Sequence, residues 1–118
     1  MKTLKRLQAI IEIEYQEIVV SSDIIQNKLR IYLVDNSFID IGFSLKIPGR
    51  FSYHWERRHL DGTLYRHDNF PDPQWKEIIT FPKHFHNGSQ NKVEESYISE
   101  DPETGIRQFM AFIRKRFS

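Results

Sequence analysis

LRIYLVDNSFIDIGFSLKI, the stretch from Leu29 to Ile47, decides the architecture. In its first half Leu29, Ile31 and Leu33 alternate with Arg30, Tyr32 and Val34, and in its second half Ile39, Ile41, Phe43, Leu45 and Ile47 hold every other position. A period of two is the signature of strands with one buried face. Between the halves, Asp35, Asn36 and Ser37 supply the residues of a hairpin turn. Pro48 and Gly49 end the second strand. Working outward, Phe51, Tyr53 and Trp55 alternate with Ser52, His54 and Glu56, a third strand whose aromatic side faces inward. Asp61 and Gly62 form the next turn, and Leu64 to Asn69 the return strand.

The flanks are less regular. Leu4, Leu7 and Ile11 recur at steps of three and four, predicting a short helix with Thr3 as its N-cap. Glu17 to Ser21 reads as a first strand, and Ser21, Ser22 and Asp23 as the turn after it. Pro71 and Pro73 break regular structure, so Phe70 to Glu77 is a loop or one short turn, with Trp75 tucked against the core. Ile78 to His86 is extended around Pro82, as an edge strand or a loop. Asn87, Gly88 and Ser89 turn the chain, and Val93 to Ile98 adds a short extended piece. Asp101 before Pro102 starts a helix, because Asp caps free amides and proline is tolerated at the first helical position. Ile106, Phe109, Met110, Ile113 and Phe117 give it one apolar face, and Arg107, Arg114, Lys115 and Arg116 a basic one. No strand–helix–strand alternation is present, which argues against a parallel sheet. The expected fold is α+β: one curved antiparallel meander with a short N-terminal helix and an amphipathic C-terminal helix packed on it, residues 1–118 forming a single domain.

Composition narrows the classes of function. The 118 residues are 39% apolar and 28% charged, enough to fill one core. A net charge of +1 rules out a basic field over the whole surface, so any nucleic-acid contact must be local. With no cysteine there is no disulfide, thiolate ligand or thiol nucleophile. No signal-peptide core and no membrane span are visible, and a cytoplasmic location is expected. Phosphate-binding loops, dinucleotide fingerprints and nucleophile elbows are absent, so no cofactor is expected.

Three patches carry chemistry. His54 lies between Tyr53 and Trp55 and points to the opposite face, as a functional group or an ordinary solvated strand residue. Arg66 and Asp68 share one side of their strand and His67 takes the other, so the carboxylate can hold the guanidinium; Asp68 and Asn69 can equally cap backbone amides before the proline loop. In Phe81-Pro82-Lys83-His84-Phe85-His86 the two outer imidazoles share a face, with Lys83 and Phe85 on the other. Such a pair can work as acid and base, bind a metal, or sit at the surface. A metal would need a third ligand, Asp68 or His54, and without a zinc spacing motif no metal is expected.

The runs Phe51-Ser52-Tyr53-His54-Trp55, Arg66-His67-Asp68-Asn69-Phe70-Pro71 and Phe81-Pro82-Lys83-His84-Phe85-His86, together with Asp61, Gly62, Leu64 and Thr80, resemble the TumE-like family of bacterial toxins over about Leu29 to Ser96. Where that family commonly continues with histidines, this chain has Asp72, Pro73, Gln74 and Trp75. The resemblance implies a toxin of a two-component toxin–antitoxin pair, partnered by a helix-turn-helix antitoxin, with RNA or the ribosome as target. It supplies no catalytic residues. RNA cleavage without metal needs a base for the 2′-hydroxyl, an acid for the leaving oxygen and a cation for the phosphate. His84, His86 and His54 are the acid and base candidates, Arg66 the phosphate clamp and Asp68 the group that orients it. Tyr53 and Trp55 are candidates to stack a base, and Lys83 and Asn69 to hold substrate. The alternative is a non-enzymatic module that occupies a partner surface.

Overall fold

A computed structural model describes residues 1–117. Seven strands lie in one open sheet in chain order, every pair antiparallel. They are β1 (Val19–Ile25), β2 (Lys28–Leu33), β3 (Phe38–Phe43), β4 (Phe51–Arg57), β5 (Thr63–Asp68), β6 (His84–Gly88) and β7 (Val93–Glu95). Helix α1 (Lys2–Glu14) precedes them, a single turn α2 (Arg58–Asp61) links β4 to β5, and α3 (Pro102–Lys115) follows them. The expected α+β meander is therefore observed. No helix among the described residues is long and apolar enough to cross a membrane.

Alternation divides the sheet into two unlike faces. Leu29, Ile31, Ile39, Ile41, Tyr53 and Trp55 are all buried in one cluster with Leu4, Leu7 and Ile11 of α1 and Ile106, Phe109, Met110 and Ile113 of α3. Trp55 donates its indole N–H to Ser37 Oγ at 2.9 Å, so the hairpin turn also satisfies the one polar atom of the largest core side chain. The helices are tied by Arg107, whose fork meets Glu14 at 3.0 and 2.7 Å, and by Arg6 with Glu103. Asp101 caps α3 through the Thr104 amide at 3.0 Å, ahead of Pro102, as its sequence predicts.

Several expectations are corrected. Thr3 lies within α1, whose N-cap is Met1. Ser21, Ser22 and Asp23 are strand residues of β1, and the turn falls at Gln26 and Asn27, both with positive φ. Ser22 serves as a partner for α1, receiving Gln8 and donating to Glu12 at 2.8 Å. Leu45 and Ile47 continue the alternation but leave the sheet and are exposed: Ser44 Oγ accepts the Lys46 and Ile47 amides and bends the chain first. Residues 78–83 form successive turns with a cis Phe81–Pro82 bond, and β6 is an interior strand beginning at His84. Trp75, in a 3-10 turn from Pro73, stays off the helix-side core and packs on the opposite face.

Candidate functional site: a histidine and carboxylate cleft on the open face

The face of the sheet turned away from the helices carries the polar half of each alternating strand. Register places Asp40, His54, Arg66 and His86 side by side across β3 to β6, and Ser52, Asp68 and His84 in the row beside them. All three patches thus meet on one surface. They line a cleft of about 430 Å³, with Trp75 and Phe70 at its rim.

Asp68 is the hub. Oδ2 accepts Arg66 Nε at 2.8 Å, and Oδ1 accepts the Phe70 amide at 2.9 Å, so the carboxylate both orients the guanidinium and caps the loop that follows. The two alternatives raised for Asp68 are both realised. His84 Nε2 stands 3.4 Å from Oδ1 and His86 Nε2 3.9 Å from Oδ2. Each ring is anchored at its other nitrogen: His84 Nδ1 donates to the Pro82 carbonyl at 2.8 Å and His86 Nδ1 to the Gln90 carbonyl at 2.9 Å. These bonds set the tautomer of the neutral rings and aim both Nε2 atoms at the same carboxylate. Although the sequence offers no metal-spacing motif, strand register converges three potential ligand atoms to within 4.8 Å of one another.

His54 bridges the other side of Arg66, with Nδ1 3.4 Å from Nη1 and Nε2 3.1 Å from Glu56 Oε1. Glu56 is held down to a pKa of about 2, chiefly by its hydrogen bonds from Arg58. Burial lowers His54 and His86 below the usual imidazole range, so both are neutral bases at neutral pH. Arg66 also borders a second depression with Lys28 and with Arg30, whose guanidinium is paired to Asp40 at 2.8 Å.

Four candidates are placed elsewhere. Tyr53 and Trp55 are each 1% exposed in the helix-side core, where neither ring can meet a ligand. Lys83 also turns to the helix side and donates Nζ to the Ile98 carbonyl at 2.7 Å. Asn69 clamps the preceding loop, accepting the Phe51 amide at 2.9 Å and donating to the Gly49 carbonyl at 2.7 Å. The aromatic that does face the site is Trp75, with ring centroids 6.4 Å from His84 and 6.1 Å from His86. Phe70, 56% exposed under Arg50, is the second. Their signal was a tryptophan and a phenylalanine beside prolines in a loop, a pattern that also fits packing against the core.

The family model described as toxin TumE matches residues 3–117, nearly the whole chain. No curated protein and no solved structure matches it.

Proposed function

We propose, from the premise that the chain belongs to the TumE family of toxins, that it stops growth as an endoribonuclease needing no metal for the chemical step. The observation that carries this reading is the convergence of His84, His86 and Arg66 on Asp68 in one cleft. His86, neutral and anchored, takes the proton of the 2′-hydroxyl through Nε2. The 2′-oxygen attacks the adjacent phosphorus while the bond to the 5′-oxygen breaks. His84, whose Nε2 stands 3.4 Å from Asp68 Oδ1, is the acid that delivers a proton to that leaving oxygen. The products are a 2′,3′-cyclic phosphate and a free 5′-hydroxyl. Arg66, a third exposed and already oriented, binds the phosphate, with Arg58 at the edge of the cleft. Trp75 and Phe70 replace Tyr53 and Trp55 as surfaces for unpaired bases. A helix-turn-helix antitoxin is the proposed partner and the cytoplasm the proposed place of action.

Purified protein incubated with RNA in EDTA is expected to leave 2′,3′-cyclic phosphate ends, and His84→Gln and His86→Gln are each expected to abolish both cleavage and growth arrest. Intact RNA at high protein concentration, with growth arrest unchanged in both variants, sinks the proposal and favours a module that acts by occupancy. Relief of arrest by a co-expressed neighbouring helix-turn-helix protein tests the partner.

A further inference from the structure

We infer that Asp68, His84 and His86 form a binding site for one divalent transition-metal ion, with zinc the best chemical match. All three are buried, and one ligand atom from each lies within 4.8 Å of the others. A tetrahedral zinc with bonds of 2.0–2.2 Å spaces neighbouring ligand atoms about 3.3 Å apart. His84 Nε2 is already 3.4 Å from Asp68 Oδ1, and His86 Nε2 stands 3.9 Å from Oδ2, within roughly 0.6 Å of that spacing.

The surroundings are those of ligands rather than of a surface pair. Metal-bound imidazoles nearly always give their other N–H to a carbonyl or carboxylate, which fixes the ring and raises its basicity. Both rings do so here, through the Pro82 and Gln90 carbonyls. In the neutral tautomer that these bonds select, each Nε2 presents a lone pair to a carboxylate, an arrangement that a cation between them resolves. Asp68 is likewise oriented, by Arg66 Nε and the Phe70 amide. Two imidazoles disfavour magnesium and calcium, which prefer all-oxygen shells. Three protein ligands leave a fourth position open to the cleft, where the nearby Arg66 cation favours an anion or hydroxide.

The inference does not depend on RNA being the substrate. Where the acid–base reading holds, a bound metal takes both Nε2 atoms, so metal occupancy and catalysis exclude each other.

Untagged full-length protein, stripped with EDTA and dialysed, is titrated with Zn²⁺ and Co²⁺ and followed by calorimetry, thermal unfolding and the visible absorption of cobalt. One equivalent is expected to bind, with a rise in Tm and a four- or five-coordinate cobalt spectrum. His84→Gln and His86→Gln, checked for native circular dichroism, are each expected to weaken binding at least about tenfold. His54→Gln, in the same cleft, should bind as the parent does. Absence of stoichiometric binding, or binding untouched in both ligand variants, overturns the site. Zinc is expected to inhibit RNA cleavage in step with occupancy; cleavage that requires zinc would uphold the site and overturn the metal-free mechanism instead.

Discussion

His67 is expected to cost the protein stability as the pH falls from 6.5 toward 4. Its ring faces the helix side, stacked on Phe85 at 4.2 Å and edge-on to Phe109 at 5.8 Å, with Nδ1 sharing a 2.7 Å hydrogen bond with Ser96 Oγ. Burial, aided by the Lys83 ammonium, lowers its pKa from 6.5 to about 4. Between these values the unfolded chain binds a proton that the native chain refuses. Stability therefore falls as pH drops from 6.5 toward 4 and levels off below. At about 1.4 kcal/mol per tenfold change in proton affinity, the gap corresponds to roughly 3 kcal/mol. That is a large share of the ~5–15 kcal/mol that holds an ordinary domain together. His67→Phe keeps the stack and removes the titration, at a cost of about 1 kcal/mol at pH 7 for the lost Ser96 bond. Urea unfolding, followed by tryptophan fluorescence from pH 7.5 to 4, should show the parent losing about 3 kcal/mol more than the variant. His54 and His86 titrate in both proteins, so the difference isolates His67. Parallel pH profiles would refute the reasoning.

Glu56→Gln should flatten the acid limb at lower pH, because a carboxyl lowered from 4.5 to about 2 contributes stability above 4.5 that is lost as pH falls through 2; unfolding curves at pH 5 and 3 check it. Trp55→Ala should cost about 3–5 kcal/mol by emptying the core, whereas Trp75→Ala should leave most of the stability in place and, on the proposed ribonuclease reading, weaken binding of single-stranded RNA by about tenfold, measured by denaturation and filter binding. Gly105→Ala should lower Tm despite its better helix propensity, since a Cβ there would stand 2.5 Å from the Tyr53 hydroxyl and 3.0 Å from the Ser99 carbonyl. Asp68→Asn should abolish toxicity while the protein remains folded, because the hub loses the charge that orients Arg66 and faces both histidines; growth curves and circular dichroism read the two effects.

Alternation was the legible part of the site. It separated His54, Arg66, Asp68, His84 and His86 from Tyr53, Trp55, His67 and Phe85, because a pleated strand leaves a side chain only two directions. It equally implied that Tyr53 and Trp55 belong to the core, which makes them poor stacking surfaces. Cross-strand register was not legible: nothing local in Asp68 or His84 says that they are partners. Nor did composition separate the polar residues of a strand from those of a turn. Ser21, Ser22 and Asp23 look like a loop, yet at the sheet edge their side chains are exposed or, like Ser22, bonded to α1. Trp75 was hidden for a different reason: burial on the wrong side of a sheet has no periodic signal.

The order of the strands carries a consequence for assembly. Each strand pairs only with its neighbours in sequence, so the site can be zipped together from successive hairpins with little loop-closure entropy. The core beneath it cannot. Ile106, Phe109, Met110 and Ile113 cover the apolar side of strands made long before them, and α3 also closes on α1 across the whole length of the chain. Until that helix docks, the histidine-bearing face rests on a sheet whose underside is still wet. The histidine face is thus supported only after α3 is made, and a chain truncated before it presents the right histidines on a platform that does not hold.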